Sequence, residues 1–406
     1  MVERIINFVR QYDRNLWALS FGWFVGALGF AVAIPFISIY FHSELGLSLS
    51  QIGLFFGFMA LVRSLFQLVG GEVADRYERK QLLVYTQILR AITFIGIAIS
   101  IYMDWGFWAI AASLTINSIF GAMFHPAANA MVSDVLSKEK RLEGFAITRA
   151  SGNLGWAAGP ALGGFMAEFS YGHLFIAASI ITFVSGFVFA FFLHPPKINA
   201  IDERFKFKDL IAIKDDPNLA AHSILIFVLY IVVAQLIAPF SVYSVEIAGI
   251  SEVELGLIYT INGLMVVSLQ LLVTKLLSNF KFTSQLALGG LIYAIGYGLV
   301  GCFSTLEMFI LVIMFITFGE MVMSPPSLAL TSKLAPEGRM GRYMGIFGFF
   351  VASGWSFGPL YGGFILDQFK TEPVKAWILI SFLGLVSAIG YLWLSRRLPP
   401  EINKRD

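Results

Sequence analysis

Residues 152–164 read GNLGWAAGPALGG, and this glycine-rich stretch lies inside an apolar run and recurs about half a chain later. The second copy, GWSFGPLYGGF, occupies residues 354–364. Aligned at an offset of 199 positions, the two copies are identical at seven of eleven positions. In the first copy the identical residues are Gly155, Trp156, Gly159, Pro160, Gly163, Gly164 and Phe165. The match indicates that the chain contains a duplicated unit.

The composition places the chain in a lipid bilayer. Hydrophobic residues make up 57% of the 406 residues and charged residues only 13%, whereas soluble domains carry about 25% charged residues. The net charge of +2 gives no reason to expect a nucleic-acid partner. Cys302 is the only cysteine, and the five histidines show no ligand spacing. We therefore expect no internal disulfide, metal or cofactor.

Apolar segments long enough to cross a bilayer divide the sequence into twelve predicted helices. The first apolar run is too long for a signal peptide, so we interpret it as the first span. The helices are predicted at residues 16–40, 50–70, 82–102, 106–135, 141–167, 172–193, 219–246, 252–277, 284–303, 306–333, 339–367 and 375–395. We predict an all-α integral membrane fold with twelve transmembrane helices in two pseudo-symmetric six-helix bundles.

The bundles are predicted to comprise residues 1–193 and 219–406, joined by a cytoplasmic linker at residues 194–218. The linker alternates basic and apolar residues, which fits a segment on the membrane surface or a solvated connection. The dipeptide Pro35-Phe36 recurs as Pro239-Phe240, which extends the duplication. Two parallel halves place a cavity at their interface near the bilayer midplane. This architecture predicts transport of a small-molecule substrate by a monomer surrounded by membrane lipid.

The distribution of cations predicts the orientation. Lys and Arg accumulate in cytoplasmic loops, and most of the 28 cations lie at the two termini and in alternate loops. The opposite loops hold Lys370 and Lys375 and are otherwise acidic. Both termini are therefore predicted to be cytoplasmic, in a multi-pass protein of the inner (plasma) membrane.

A charged motif follows the second predicted helix. Residues 71–80 read GEVADRYERK, in which glycine permits a tight helix exit. The motif resembles the Gly-x-x-x-Asp-Arg-x-Gly-Arg-Lys signature of the major facilitator superfamily, with Glu78 in place of the second glycine. The resemblance implies a gate loop formed by Gly71, Asp75, Arg76, Arg79 and Lys80. The accumulation of cations in cytoplasmic loops explains Arg79 and Lys80 equally well.

The opening stretch resembles the Gly-x-x-x-Gly-Pro-x-x-Gly-Gly pattern that drug/proton antiporters of this superfamily carry on helix 5, which implies proton-coupled export. Spacings of three and four residues place its glycines on one side-chain-free stripe, and Pro160 favours a bend. We expect the stripe to pack against the opposite half of the molecule. A packing face without a role in coupling is the alternative. The motif residues are Gly155, Gly159, Pro160, Gly163 and Gly164.

Ionisable residues inside spans cost about 2.5–3.5 kcal/mol each at a helix centre, so each needs a partner or an aqueous cavity. The five that stand out are Arg63, Arg90, His125, Arg149 and Glu320. The acid that several antiporters of this family place on helix 1 is missing, and Thr115 stands where they have an arginine on helix 4. Glu320 is our candidate for proton coupling, because a carboxylate that alternates between environments can take up and release a proton. A permanent ion pair with an arginine is the alternative.

The surplus of central arginines over central acids favours a cavity for amphipathic or anionic substrates. Arg149, Asn153 and Trp156 share one face of the fifth helix. Arg63 and Arg90 are cavity candidates that alternatively join helices 2 and 3 through backbone carbonyls. The other candidates are His125, Asn129, Gln235, Tyr40 and Tyr259, and interhelical hydrogen bonding is the alternative role of the last four.

The function predicted from these features is secondary active transport by alternating access, with proton-coupled export of hydrophobic or amphipathic molecules, as in multidrug efflux. An exchanger or uniporter for an anionic metabolite or lipid is the alternative, and a membrane receptor without transport is a third. The sequence contains no Walker-type phosphate loop and no nucleophile-base-acid set, so we expect neither ATP-driven transport nor an enzyme.

Overall fold

The computed structural model describes residues 11–76, 78–136, 140–194, 216–336 and 340–404, excluding the side chains of residues 68–76, 133, 141–142 and 340–342. Twelve long helices account for most of this part of the chain. They are α1 (Arg14–Ser43), α2 (Leu49–Arg76), α3 (Arg79–Tyr102), α4 (Gly106–Val135), α5 (Arg141–Phe169), α6 (Tyr171–Phe192), α7 (Pro217–Val233), α8 (Glu252–Leu276), α9 (Phe282–Val300), α10 (Leu306–Leu334), α11 (Met340–Gln368) and α12 (Pro373–Leu394). The predicted all-α fold with twelve helices is confirmed, and the proposed linker lies mostly outside the described residues.

Eleven of these described helices are long and apolar enough to cross a membrane. The remaining helix is α5, the one that carries the glycine-rich stretch. Glycine and alanine add little apolar surface, and Arg149 lowers the hydropathy of the same helix. The packing of α5 therefore depends on close contact with its neighbours more than on its own hydrophobicity.

The seventh span is broken in its second half. After Val233 the chain continues as a 3₁₀ turn at Ala234–Leu236, a short helix at Pro239–Val242 and a π turn at Tyr243–Ile247. Pro239 has no N–H group to donate, which interrupts the helical hydrogen bonds at this point. The hydroxyl group of Tyr259 in α8 donates to the carbonyl oxygen of Leu236 beside this break.

The contacts divide the chain into two compact units, which we call unit 1 (Met1–Ile37 and Val62–Asp202) and unit 2 (Ser38–Leu61 and Glu203–Asp406). In unit 1, α3 packs against α4 and α6. In unit 2, α9 makes the equivalent contacts with α10 and α12, and α7 packs against α11 and α12. The division into six-helix bundles remains a prediction made from the sequence repeat.

The first half of α2 belongs to unit 2 through its contacts with α11. A side chain at Gly53 would approach the Cα atom of Leu360 to 2.7 Å, and one at Gly57 would lie 3.3 Å from the carbonyl oxygen of Ser356. On the facing side, Gly363 of α11 leaves room for the backbone of Leu49. Small residues on both helices thus allow their backbones to approach closely.

The contacts of the two glycine stretches repeat along with their sequences. In unit 1, Gly155 and Gly159 of α5 lie against Phe24 and Ala31 of α1. In unit 2, the matching Gly354 and Gly358 of α11 lie against residues 203 positions further along, Phe227 and Ala234. The duplication therefore extends from the motif to the helix against which the motif packs.

The expectation that the glycine stripe of α5 packs against the opposite half is wrong for Gly152, Gly155, Gly159 and Gly163. Their nearest neighbours are α1 residues within unit 1. A Cβ atom at Gly155 would lie 2.8 Å from the backbone nitrogen of Leu28, and one at Gly159 would lie 3.0 Å from the carbonyl oxygen of Leu28. The small residues Ala27 and Ala31 let α1 fit against the stripe, so the glycines serve packing within one unit.

Candidate functional site

Arg90 is the buried cation of unit 1, with only 6% of its surface exposed. Its Nε atom donates to Oδ1 of Asn117 in α4, and its Nη1 atom donates to Oε1 of Gln87, both at 3.4 Å. The guanidinium group lies over the ring of Phe30 in α1, at 5.1 Å from the ring centroid. The alternative role considered for Arg90 was a contact with backbone carbonyls of α2, whereas the contacts that the described residues make with its guanidinium group come from amide side chains and an aromatic ring.

Asn117 fixes the position of Arg90 from a second side. Its Nδ2 atom donates to the backbone carbonyl of Arg90 at 3.1 Å and to the Oγ1 atom of Thr93 at 2.8 Å. Because both donor contacts fall on α3, the amide oxygen faces the guanidinium group. Asn117 is fully interior, with 2% of its surface exposed. The cation is therefore held by neutral groups in a defined orientation.

Arg63 and His125 add two more bases to this part of unit 1. The charges of Arg63 and Arg90 lie close enough to act on each other, and both act on His125. Arg63 is exposed, and neither it nor His125 makes a hydrogen bond or ion pair with the described residues. The imidazole ring of His125 makes an edge contact with Trp23, at 5.5 Å between ring centroids. The structure thus brings three of the predicted ionisable residues together.

The described acids of unit 1 form no ion pair with this cluster. Along the sequence they occur at or near helix ends and in loops. Asp134, near the end of α4, pairs with Arg79 at the start of α3. Glu143, near the start of α5, accepts a hydrogen bond from the hydroxyl group of Tyr12 at 2.5 Å. The central bases therefore have no counter-charge from the middle of a unit 1 helix.

The predicted face of α5 is only partly connected to the cluster. Trp156 is 39% exposed and makes an edge contact with Phe30, the ring that carries Arg90. Arg149 is exposed and Asn153 is partly exposed, and no described residue gives either a polar partner. Asn129 on α4 is also exposed. Trp156 is therefore the member of this face that the structure joins to Arg90.

Glu320 lies in the middle of α10 in unit 2 and is partly buried. The Nδ2 atom of Asn262 in α8 donates to its Oε2 atom at 3.3 Å and to Oγ1 of Thr317, one turn earlier in α10, at 2.8 Å. Tyr293 and Tyr297 of α9 lie within range of its charge. The carboxylate is thus placed among neutral polar groups contributed by two neighbouring helices.

Two cavity candidates of unit 2 use their polar atoms for hydrogen bonds between helices. The Nε2 atom of Gln235 donates to the carbonyl oxygens of Ile231, at 2.7 Å, and Gly358, at 2.8 Å. Tyr259 bonds to Ser241 and Leu236 at the break in the seventh span. These contacts match interhelical hydrogen bonding, the alternative role considered for Gln235 and Tyr259. Tyr40 is buried at the end of α1 that belongs to unit 2.

The gate-loop residues are described only in part. The side chains of Asp75 and Arg76, and the surroundings of Gly71, lie outside the described residues. Arg79 donates to the carbonyl oxygen of Ala130 as well as to Asp134. This pairing gives Arg79 a definite contact between helices, beyond a contribution to topology. Lys80 is partly exposed.

Some polar residues of the two sites were not singled out from the sequence. Asn117 and Asn262 each connect two helices beside an ionisable residue, and their position in the middle of apolar spans was the available signal. His222 forms a separate buried network with Thr331 and Tyr391, at 3.1 and 3.0 Å. Its ring also stacks on Phe347. His222 is therefore a structural residue of unit 2.

The sequence matches the family model described as Major Facilitator Superfamily over residues 19–359 and 224–406. The chain belongs to the Major Facilitator Superfamily. It is 26% identical over 407 residues to the uncharacterized MFS-type transporter YttB of Bacillus subtilis, covering 97% of this chain and 98% of that protein. It is also 23% identical to the multidrug resistance protein MdtH of Salmonella paratyphi B, covering 92% of each chain.

Solved transporter structures share the fold of this superfamily member. A POT family transporter in complex with a thioalcohol conjugated peptide superimposes with a TM-score of 0.80 at 14% identity, over 95% of this chain and 96% of that chain. The nucleoside transporter NupG, as a mutant, superimposes with a TM-score of 0.77 at 13% identity, over 93% and 99% of the two chains. At these identities the similarity shows the fold alone. The sequence resemblance to the superfamily is confirmed.

Proposed function

We propose that this transporter works by alternating access and exports amphipathic small molecules in exchange for protons, with Glu320 as the proton carrier. Membership of the Major Facilitator Superfamily supports transport, and relatives named multidrug resistance proteins support export of several substrates. The observation that carries the coupling proposal is the position of the Glu320 carboxylate, partly buried in mid-helix and bonded to Asn262.

The surroundings of Glu320 suit reversible protonation. Asn262 is a neutral donor to the carboxylate, and the phenol groups of Tyr293 and Tyr297 lie nearby. A carboxylate in such a setting exchanges its proton when water reaches it and keeps the proton when the site is closed.

The test is transport into proteoliposomes with and without an imposed pH gradient, using ethidium as the probe. In the variant Glu320→Gln, which keeps shape but cannot release a proton, we expect the gradient to lose its effect. Exchange of labelled for unlabelled ethidium at equal pH should continue, because it needs movement of the substrate site alone. The matched control is Glu307→Gln in the first turn of the same helix, which removes an exposed carboxylate.

The control should respond to the gradient as the wild type does. Gradient-driven ethidium transport by Glu320→Gln at the wild-type rate would rule out the carrier role. Loss of both exchange and gradient-driven transport would instead assign Glu320 to the structure or to substrate binding.

The second candidate function is exchange or uniport of organic anions. The cluster of Arg63, Arg90 and His125 in unit 1, away from any central acid of that unit, favours it. In this case transport would be driven by the anion gradient, and a pH gradient would have no direct effect. Counterflow with anionic and cationic probes at two pH values separates the two candidates.

A further inference from the structure

We propose that unit 1 contains a binding site for aromatic organic anions, in which Arg63 and Arg90 bind a carboxylate or sulfonate group and Phe30 and Trp156 contact the ring. The inference rests on the second candidate function above, transport of organic anions, and names the chemical class of that substrate more closely. It concerns a site within unit 1, so its test does not depend on the proton-coupling role of Glu320.

The first argument is that no described residue forms an ion pair with Arg63, Arg90 or His125. Arg63 and Arg90 act on each other as like charges, and His125 lies within range of both. The ion pair described between Arg79 and Asp134 lies at the ends of α3 and α4. Charges in a span are costly without a partner. An anionic ligand supplies the missing counter-charge.

The second argument is the hydrogen-bonding capacity of Arg90. A guanidinium group has five N–H donors in a fixed planar arrangement that matches a carboxylate or sulfonate. The described residues accept from Nε and Nη1 only, both at the long distance of 3.4 Å, from Asn117 and Gln87. Its Nη2 donors remain available to a ligand, and so does Arg63, an exposed residue that makes no hydrogen bond with the described residues.

The third argument is that Arg90 is held in place before any ligand binds. Asn117 bonds to the backbone and to Thr93 of the helix that carries Arg90, which orients its amide oxygen toward the guanidinium group. The ring of Phe30 gives the guanidinium group of Arg90 a further contact. Ordering of a long side chain before binding removes part of the entropic cost of binding. This arrangement is typical of a recognition site more than of a chance burial.

The fourth argument concerns the apolar part of the ligand. The guanidinium carbon of Arg90 lies 5.1 Å from the centroid of the Phe30 ring. The centroid of the exposed Trp156 ring lies 5.8 Å from the same centroid. Trp23 adjoins His125 in the same unit. Aromatic rings beside a cation favour a flat, partly apolar anion over a small inorganic ion.

The experiment measures binding to the purified full chain in nanodiscs of zwitterionic phosphatidylcholine. Calorimetric titrations use three probes with the same ring system: 2-naphthoate, 2-naphthalenesulfonate and the neutral 2-naphthamide. We expect both anions to bind at least about tenfold more tightly than the amide, because charge-assisted hydrogen bonds are worth more than neutral ones. Empty nanodiscs provide the correction for partition into lipid.

The decisive variant is Arg63→Gln, because the described residues give Arg63 no partner whose loss would unfold the chain. It should weaken binding of both anions about tenfold or more and leave the amide unchanged. Arg63→Lys should retain part of the anion affinity. The control Arg397→Gln removes an equal charge beside Trp393, beyond the end of α12, and should bind as the wild type does.

Equal affinity of the wild type for the anions and the amide, or wild-type anion binding by Arg63→Gln, would overturn the anion site. Loss of pH-driven ethidium transport would not overturn the anion site, because ligand binding is measured without a gradient. Conversely, anion binding that depends on Arg63 in a chain that shows no proton-driven transport would retain this site and reject the coupling mechanism.

Discussion

Asp367 at the end of α11 caps the start of α2 at Ser50, although 317 residues separate them in sequence. The backbone N–H and the hydroxyl group of Ser50 both donate to Oδ2 of Asp367, at 2.7 and 2.5 Å. The N–H of Leu49 donates to Oδ1 at 3.2 Å. The carboxylate thus satisfies N–H groups that the first turn of a helix leaves without partners, and its charge complements the helix dipole.

The variant Asp367→Asn should therefore destabilise the protein by about 1–3 kcal/mol, since it replaces charge-assisted hydrogen bonds at a helix start with neutral ones. The measurement is the free energy of unfolding in mixed micelles, by chemical denaturation. Glu372→Gln is the control, because that carboxylate is exposed and pairs with Lys375, which is also exposed. An equal effect of both substitutions would show that the cap adds no stability.

Gly159→Ala should destabilise by about 1–3 kcal/mol through overpacking. The added methyl group would lie 2.9 Å from the carbonyl carbon of Ala31 and 3.0 Å from the carbonyl oxygen of Leu28, and neither backbone atom can move away without shifting α1. The same unfolding measurement checks this. Wild-type stability would mean that α1 and α5 adjust freely.

The matched control for that substitution is Gly348→Ala in α11. Gly348 is also helical, but no atom lies within 4 Å of an added Cβ. Alanine is the better helix former, so this variant should gain roughly 0.5–1 kcal/mol. Opposite signs at the two positions would separate packing from helix propensity.

Asp134→Asn should destabilise unit 1 by about 1–3 kcal/mol, because it leaves Arg79 partly buried without its counter-charge. The exchanged pair Arg79→Asp with Asp134→Arg should recover part of this loss. A double-mutant cycle on unfolding free energies measures the interaction. A coupling energy near zero would show that Arg79 contributes only to membrane topology.

Cys302 provides a test of orientation. It is exposed, it is the only cysteine of the chain, and it follows the end of α9. With cytoplasmic termini, α9 ends outside, so a membrane-impermeant maleimide should label Cys302 in intact spheroplasts. The control is Asn279→Cys in a Cys302→Ser background, which lies at the other end of α9 and should react only after permeabilisation. The reverse pattern would invert the predicted topology.

The fold was largely predictable because the lipid bilayer imposes length and apolarity on every helix. The break after Val233 was not predicted, since one proline within an apolar run gives no indication of whether a helix bends or stops. The partner of the glycine stripe was also predicted wrongly. Glycine spacing indicates close packing, but the choice of α1 depends on Ala27 and Ala31, which lie far away in sequence.

The charged residues of the candidate site could be predicted from the sequence, but the residues that they contact could not. Arg63, Arg90, His125 and Glu320 stood out because ionisable residues are rare inside apolar helices. Asn117, which contacts Arg90, and Asn262, which contacts Glu320, are single amides within spans. The packing of neighbouring helices shows which base or acid each amide contacts. Gln235 had the same appearance in the sequence, yet it bonds to backbone carbonyls.

The early part of α2 also bears on how this chain can be divided in protein engineering. A gene cut in the connection at residues 194–218 would produce a second fragment without residues 38–61, which unit 2 includes. The face of α11 formed by Pro359, Gly363 and Asp367 would then lack the backbone that it normally receives. The second fragment should therefore not fold stably by itself. A split version of the transporter should be found as folded protein only when both fragments are expressed in the same cell.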